Sequence, residues 1–361
     1  MERTWGLVLG ILVLLSAATG VVQFLKRRTE SGIDPAIVEN CWRRIRAWWY
    51  LWLVLAAAIW SQTVTVLLFG LISFWALREF ITLTPTRPGD HRTLFWIFFL
   101  WTPLQFILVG IQRYGLYSIV IPVYAFLFIP AGIAMSGDSK RFLERTAKIQ
   151  AGLLICVYCL SYAPALLMLP LPRDAGQPLA PFPLEMPAEK LETEKPAAEP
   201  GTAPGASPGN RPERDPSRNA RLLFFFLLMV QLSDALQYVW AQIPSKHVIV
   251  PTINPTKTWE GFLGGTVSVT LLGTALWWAT PFPYWLAAAM SAVIAVMAFA
   301  GSMTMSAIKR DRGVKDYGTL VEGHGGVLDR IDSICFAAPV FFHFTMYYLI
   351  RSGAMGTIQW E

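Results

Sequence analysis

The chain has 361 residues and 54% of them are hydrophobic, a share too high for a soluble globular domain. Its formal charge of +6 fits basic loops beside a membrane rather than a nucleic-acid partner, because Lys and Arg collect in the cytoplasmic loops of membrane proteins. Several apolar runs reach the about 20 residues a spanning helix needs, and a helix satisfies its own backbone in lipid. The expected fold is therefore all-α: a polytopic integral membrane protein with about nine to ten transmembrane helices.

The first apolar run covers residues 5–25 and lacks a small-residue cleavage site, so it reads as a retained span rather than a signal peptide. Lys26, Arg27 and Arg28, then Arg43, Arg44 and Arg46, mark the next loop as cytoplasmic and the N-terminus as outside. Residues 47–80 are too long for one upright helix. A hairpin near Ser61–Gln62 accommodates them, as does a tilted single span. Arg78, Arg87 and Arg92 flank the following inner loop. Residues 93–112 and 116–135 form a pair of spans broken at Arg113–Gly115. Lys140, Arg141, Arg145 and Lys148 mark the inside again before a span at 149–170. Cys156 and Cys159 form a C-x-x-C within that span with no second pair, which fits packing rather than zinc.

Residues 171–220 change character: Pro, Ala, Gly and Glu dominate, and such a segment buries too little apolar area to offset its ordering entropy. The chain thus divides into N-terminal transmembrane helices at 1–170, a linker at 171–220 on the outer side, and a C-terminal transmembrane catalytic region at 221–361. The span at 221–241 carries Asp234, with Gln237 and Tyr238 on the same face. A carboxylate in a span needs a cavity or a partner. Asp234 is either a ligand to metal or substrate or a hydrogen-bonding group between helices. In the loop that follows, Asn254–Pro255 starts a turn. Lys257, Thr256 and Thr258 there are suited to phosphate oxygens, or Lys257 is a topogenic anchor. Gly261, Gly264 and Gly265 let the span at 262–280 approach a neighbour closely, and a span at 284–304 follows.

Between residues 301 and 332 lies the densest run of charge: Lys309, Arg310, Asp311, Arg312, Lys315, Asp316, Glu322, Asp329, Arg330 and Asp332, with His324 and Gly325–Gly326 among them. The last span runs from about Val327 to Ile350, and Asp329 and Asp332 share a face in its first turns. They complement the helix dipole, or they hold Mg²⁺, which takes one or two carboxylates plus phosphate oxygens. His343 lies on an apolar face and reads as packing or as a hydrogen bond between helices. Cations for phosphate and carboxylates for a divalent metal, at the edge of a membrane, point to a phosphate-bearing lipid substrate. No P-loop pattern is present.

The string Ser306-x-Ile-Lys309-Arg310-x₄-Lys315-Asp316-x-Gly318, with His324-Gly-Gly-Val-x-Asp329-Arg330-Ile-Asp332 after it, resembles the signature of the phosphatidate cytidylyltransferase (CDP-diacylglycerol synthase) family. Asn254-Pro-x-Lys257-Thr258-Trp259-Glu260-Gly261 is similar to that family's Ser-Pro-x-Lys-Thr-x-Glu-Gly segment, and Asp234 with Tyr238 resembles its Asp-x-Gly-Ala-Tyr segment. The likeness covers about residues 230–340. It implies transfer of a cytidylyl group from CTP to phosphatidate, giving CDP-diacylglycerol and pyrophosphate, with Mg²⁺ as cofactor. By the same resemblance, Asp316, His324, Asp329, Asp332, Lys309 and Arg310 are the catalytic set. Lys257, Thr258, Lys315, Gly325, Gly326 and Arg330 hold substrate phosphates, and Asp316, Asp329 and Asp332 hold metal, with Asp234 as a further carboxylate. The implied partners are CTP, phosphatidate and membrane lipids, not nucleic acid, with a homodimer left open. The implied location is the bacterial inner (plasma) membrane, with the active-site loops cytoplasmic.

Four positions depart from the family pattern. Gly301–Ser302 stands for Gly-Asp, Glu322 stands for Pro and is a candidate replacement ligand, Gln237 stands for Ala, and Ala241–Gln242 stands for Gly-Arg. They bear on substrate choice and activity. The alternatives are a CTP-dependent polyprenol-type lipid kinase and a catalytically degenerate scaffold or lipid-binding homologue, which Ser302 favours. An ion-coupled transporter using Asp234 fits less well, because the charges gather in loops rather than at mid-span.

Overall fold

A computed structural model describes residues 61–83, 86–169, 171, 216–243, 247–314, 316–318 and 326–352, with isolated positions between 12 and 57. The loop at 26–46, residues 172–215, and Lys315, Glu322, His324 and Gly325 lie outside the described residues.

Eight helical segments follow one another among the described residues: α1 (Gln62–Thr82), α2 (Pro88–Gly110), α3 (Tyr114–Ala134), α4 (Phe142–Met168), α5 (Pro216–Trp240), α6 (Trp259–Ala275), α7 (Tyr284–Asp311) and α8 (Leu328–Arg351). Seven of them are long and apolar enough to cross a membrane, and α6 is shorter at 17 residues. An isolated bridge between Val248 and Thr258 is the one β-type pairing among the described residues. The chain is an all-α polytopic membrane protein.

Local chemistry sets the helix ends. Ser61 is extended and its hydroxyl accepts from Val64 N, which starts α1 where the hairpin was expected. Gln112 and Arg141 take left-handed backbone at the turns into α3 and α4. π-Helical stretches at Ile97–Trp101, Val120–Ala125 and Leu154–Cys159 widen α2, α3 and α4. Carbonyls in such a stretch need partners in hydrocarbon. The Thr102 hydroxyl donates to Ile97 O at 2.9 Å, and Ser73 of α1 donates to Cys156 O at 2.7 Å. Cys156 and Cys159 are both free thiols.

Alternation of the helices brings the C-terminal ends of α1, α3, α5 and α7 to the same end of the bundle as the N-terminal ends of α2, α4, α6 and α8. At the opposite end, Asn219 Nδ2 of α5 reaches Leu167 O at 2.8 Å and Leu169 O at 2.7 Å, and Gln62 Nε2 reaches Leu167 O at 3.2 Å. Helix α5 begins at Pro216, inside the range read as linker. The core between α5 and α8 is aromatic, with the Phe226 and Phe341 rings stacked at 5.2 Å. Close approach of α6 to α5 rests on glycine: a Cβ on Gly265 would lie 2.9 Å from Gln237 Cα.

One expectation needs correction, and at His343 the packing reading holds over the other. Arg145 is not a loop residue; it lies in the first turns of α4 and is 5% exposed. Its guanidinium meets Asp90 Oδ1 at 3.1 Å and Asp138 Oδ2 at 3.0 Å and donates to Lys140 O at 2.8 Å. Counting basic residues cannot tell a solvated cation from a buried one. His343 bonds along its own helix rather than between helices, with Nδ1 2.6 Å from Pro339 O, and its ring packs on Tyr162 at 4.8 Å.

Replacing Arg145 by Met leaves Asp90, itself fully buried, facing no guanidinium. Breaking a buried pair from one side costs about 3–5 kcal/mol. Thermal unfolding in detergent should show a large drop for Arg145→Met and a smaller one for Arg145→Lys, which keeps charge but loses the two-pronged fork.

Candidate active site

The loop between α5 and α6 is fixed from within. Asn254 Oδ1 accepts from Thr256 N at 3.1 Å and from Thr256 Oγ1 at 2.7 Å, which closes the turn. Ile249 N donates to Lys257 O and Trp259 N to His247 O, so the two arms of the loop run together. Across its base, His247 Nδ1 meets Glu260 Oε1 at 2.6 Å. Thr258 is buried and extended, and its hydroxyl accepts from Gly261 N at 3.1 Å as the N-cap of α6. The resemblance placed Thr258 at the phosphates; its position here is that of the residue that starts the helix and orients its neighbour. Lys257 turns inward. Its Nζ lies 3.1 Å from Gln237 Oε1 and 3.9 Å from Asp234 Oδ1, both on α5, and 5.4 Å from the Phe299 ring of α7.

The end of α7 meets the start of α8 through a second pair. Lys309 Nζ lies 2.8 Å from Asp329 Oδ1 and 5.5 Å from the Tyr317 ring. Asp329 Oδ2 accepts from Tyr317 N at 2.9 Å and from Gly326 N at 3.0 Å. The Tyr317 hydroxyl donates to Met305 O at 3.0 Å. Burial pushes that hydroxyl well above the ordinary phenol range, so it stays a neutral donor. Arg310 Nε donates to Ile253 O at 3.2 Å and Asn254 Nδ2 to Ser306 Oγ at 3.3 Å, so the two signature segments are tied to each other.

Asp332 belongs to the first cluster. Its Oδ1 accepts from Ser333 N at 2.7 Å and from the Ser333 hydroxyl at 3.3 Å, and that hydroxyl also lies beside Asp234. The Asp234 and Asp332 carboxylates act on each other electrostatically, and Lys257 and Lys309 both act on Asp332. The face shared by Asp329 and Asp332 is therefore divided: Asp329 gives its oxygens to Lys309 and loop amides, while Asp332 takes Ser333, which also neighbours Asp234. Asp316 and Arg330 are exposed, and Gly326 is buried with its amide on Asp329. Ser302 follows Gly301, where a Cβ would lie 2.8 Å from Asp332 O, so α7 backs directly on the first turns of α8.

Among the described residues no group of three or more His, Cys, Asp or Glu side chains is gathered as a metal cage. The Asp234–Asp332 pair nonetheless fits Mg²⁺. Its donors are all oxygen, and a hard cation completes its shell from substrate phosphates when the protein offers one or two carboxylates. Two carboxylates that act on each other also repel until a cation joins them.

One residue of this region escaped the sequence reading. Glu79 of α1, 4% exposed, accepts from Val327 N at 3.0 Å and from Leu328 N at 2.8 Å. The signal was available: a carboxylate within an apolar run of spanning length.

This geometry sits within a chain that belongs to the cytidylyltransferase family, whose pattern matches residues 42–348. The uncharacterized protein YnbB of Escherichia coli is 33% identical over 309 residues, 84% of this chain and 87% of that one. A phosphatidate cytidylyltransferase of Mycobacterium leprae is 39% identical over 121 residues, 32% of this chain and 38% of its own length. A Synechocystis phosphatidate cytidylyltransferase is 42% identical over 99 residues, 27% of this chain and 34% of its own. The chain thus aligns with well under half the length of these two transferases.

The Lys309–Asp329 pair is open to a double-mutant cycle. Lys309→Met should cost about 1.5–3 kcal/mol, the range for a hydrogen bond to a charged group. The double variant Lys309→Met with Asp329→Leu should be less destabilised than the sum of the two single changes. Additive losses in denaturant or thermal unfolding would mean that the two side chains do not interact.

Proposed function

We propose that this protein transfers the cytidylyl group of CTP to phosphatidate, giving CDP-diacylglycerol and pyrophosphate for phospholipid biosynthesis. The observation that carries the reading is the contact of Lys257, in the 247–258 loop, with Asp234 of α5, with Asp332 of α8 close enough to act electrostatically on both, beside the Lys309–Asp329 pair. In this reading Lys257, Lys309 and Arg310 bear the triphosphate charge, and Lys257 shifts from its amide and carboxylate partners toward phosphate oxygens. Asp234 and Asp332 hold Mg²⁺, which when bound neutralises phosphate charge.

A phosphate oxygen of phosphatidate attacks the α-phosphorus of CTP. The new P–O bond forms as the bond from that phosphorus to the bridging oxygen breaks, and pyrophosphate leaves with the electron pair. No covalent enzyme intermediate is needed. The protein's share is orientation and charge stabilisation. A site at helix ends suits an acceptor whose acyl chains stay in the bilayer. Arg87, Lys140, Lys148 and Arg312 lie at the same end of the bundle, which supports a cytoplasmic site in the inner (plasma) membrane. A second reading, a catalytically degenerate lipid-binding homologue, is favoured by Ser302 in place of the family's carboxylate.

The test is CDP-diacylglycerol formation by the purified full chain in detergent, from CTP, phosphatidate and Mg²⁺. The native protein should form product, EDTA should abolish it, and Asp332→Asn should lower kcat by about 10²–10³-fold, as loss of a charge-stabilising group does. Folded native protein that forms no product overturns the transferase reading. Product from Ser302→Asp alone would identify the degenerate homologue.

A further inference from the structure

Glu79 lies outside every segment that carries the family signature, 248 residues before the first amide it binds. Its two carboxylate oxygens are divided between adjacent amides, Oε1 on Val327 N and Oε2 on Leu328 N. Those amides open α8. The first N–H groups of any helix lack partners within it, and Val327 brings no side-chain cap. The cap comes instead from another helix, and its negative charge suits the positive end of the helix dipole.

The fit around the carboxylate is tight on two sides. A Cβ on Gly318 would lie 2.9 Å from Glu79 Oε1, and a Cβ on Gly326 would run into Oε2 while standing 2.9 Å from Gly318 N. Residues 318 and 326 are therefore backbone to backbone over the Glu79 carboxyl. The next residue, Phe80, stacks on the Tyr317 ring at 6.3 Å with the planes 16° apart. Asp329 accepts the amides of Tyr317 and Gly326. Between them the two carboxylates take the amides of residues 317, 326, 327 and 328.

We propose that Glu79 is a positioning residue for nucleotidyl transfer. It seats the first turn of α8, and so sets where Asp329 and Asp332 stand relative to Lys309 and Asp234. This rests on the transferase reading above. Glu79 touches no reacting atom and acts through the backbone of 326–328. The isosteric Glu79→Gln keeps one acceptor oxygen and turns an NH₂ group toward the other amide. Glu79→Asp keeps the charge and shortens its reach.

The experiment combines steady-state kinetics with hydrogen exchange on the full chain in detergent. Glu79→Gln should raise exchange of the peptide covering 316–330 by about tenfold or more, the loss of a hydrogen bond to a charged group. It should lower kcat/KM for CTP by about 10- to 100-fold, the cost of a small misplacement of reacting groups. The KM for phosphatidate should stay within about twofold, and Glu79→Asp should recover part of the loss. A merely structural role would reduce the folded fraction and Tm while the remaining enzyme kept its native CTP kinetics, and that result overturns the proposal. If Glu79→Gln does not fold, Glu79→Asp is held to the same criteria. Native protein without product marks failure of the transferase reading itself. Exchange at 326–328 then decides Glu79 alone, and unchanged protection in the variant overturns its hold on α8.

Discussion

A charge buried in a helix that crosses hydrocarbon has to be met by another charge or by hydrogen-bond donors. Asp234 is met by Lys257, Asp329 by Lys309, Glu79 by two backbone amides and Arg145 by Asp90 and Asp138. Each of these contacts joins a helix to a different helix or to its loop. All of them lie at one end of the bundle. Where the partners are close and largely buried, as at Asp329, Glu79 and Arg145, they fix how the helix ends stand toward one another around the candidate active site. Lipid-facing apolar packing offers no comparable constraint, since one greasy surface substitutes for another.

The same pairings explain a division of labour within the signature. Thr258 is a residue type suited to phosphate, yet it caps α6, and the exposed Arg310 spends its Nε on tying α7 to the preceding loop. Lys257 and Asp332 keep partners that a substrate or cation can replace: a 3.9 Å contact to a carboxylate in one case, a neighbouring serine in the other. On the proposed function, a family motif therefore mixes groups that handle ligand with groups that hold those groups still.

Much of the fold was legible in the residues. Apolar runs of spanning length gave the helices; the break at Ser61 falls where the pattern broke, and that at residues 111–113 comes two residues before the one read at Arg113–Gly115. Asp234 declared itself as a carboxylate in a span. What stayed hidden was orientation. Asp329 and Asp332 sit about 60° apart around the helix axis, enough for neighbours on different helices to claim them separately, and spacing alone does not reveal which. Arg145 looked like any topogenic cation because its partners lie 55 and 7 residues away and become neighbours only on folding. Glu79 has no motif around it, and its partners are backbone amides whose position no residue type announces. The family pattern, which spans 42–348, does include it.

Asn219 joins the beginning of α5 to the end of α4 by donating to the carbonyls of Leu167 and Leu169. The chain thus leaves the bundle and re-enters it at nearly the same point, on the end away from the candidate site. A loop whose ends are already clasped adds little closure entropy as it lengthens. A change in the length of residues 172–215 therefore costs little in closure entropy. The clasp makes this point a natural graft site for a reporter or affinity domain, far from the candidate site at the other pole.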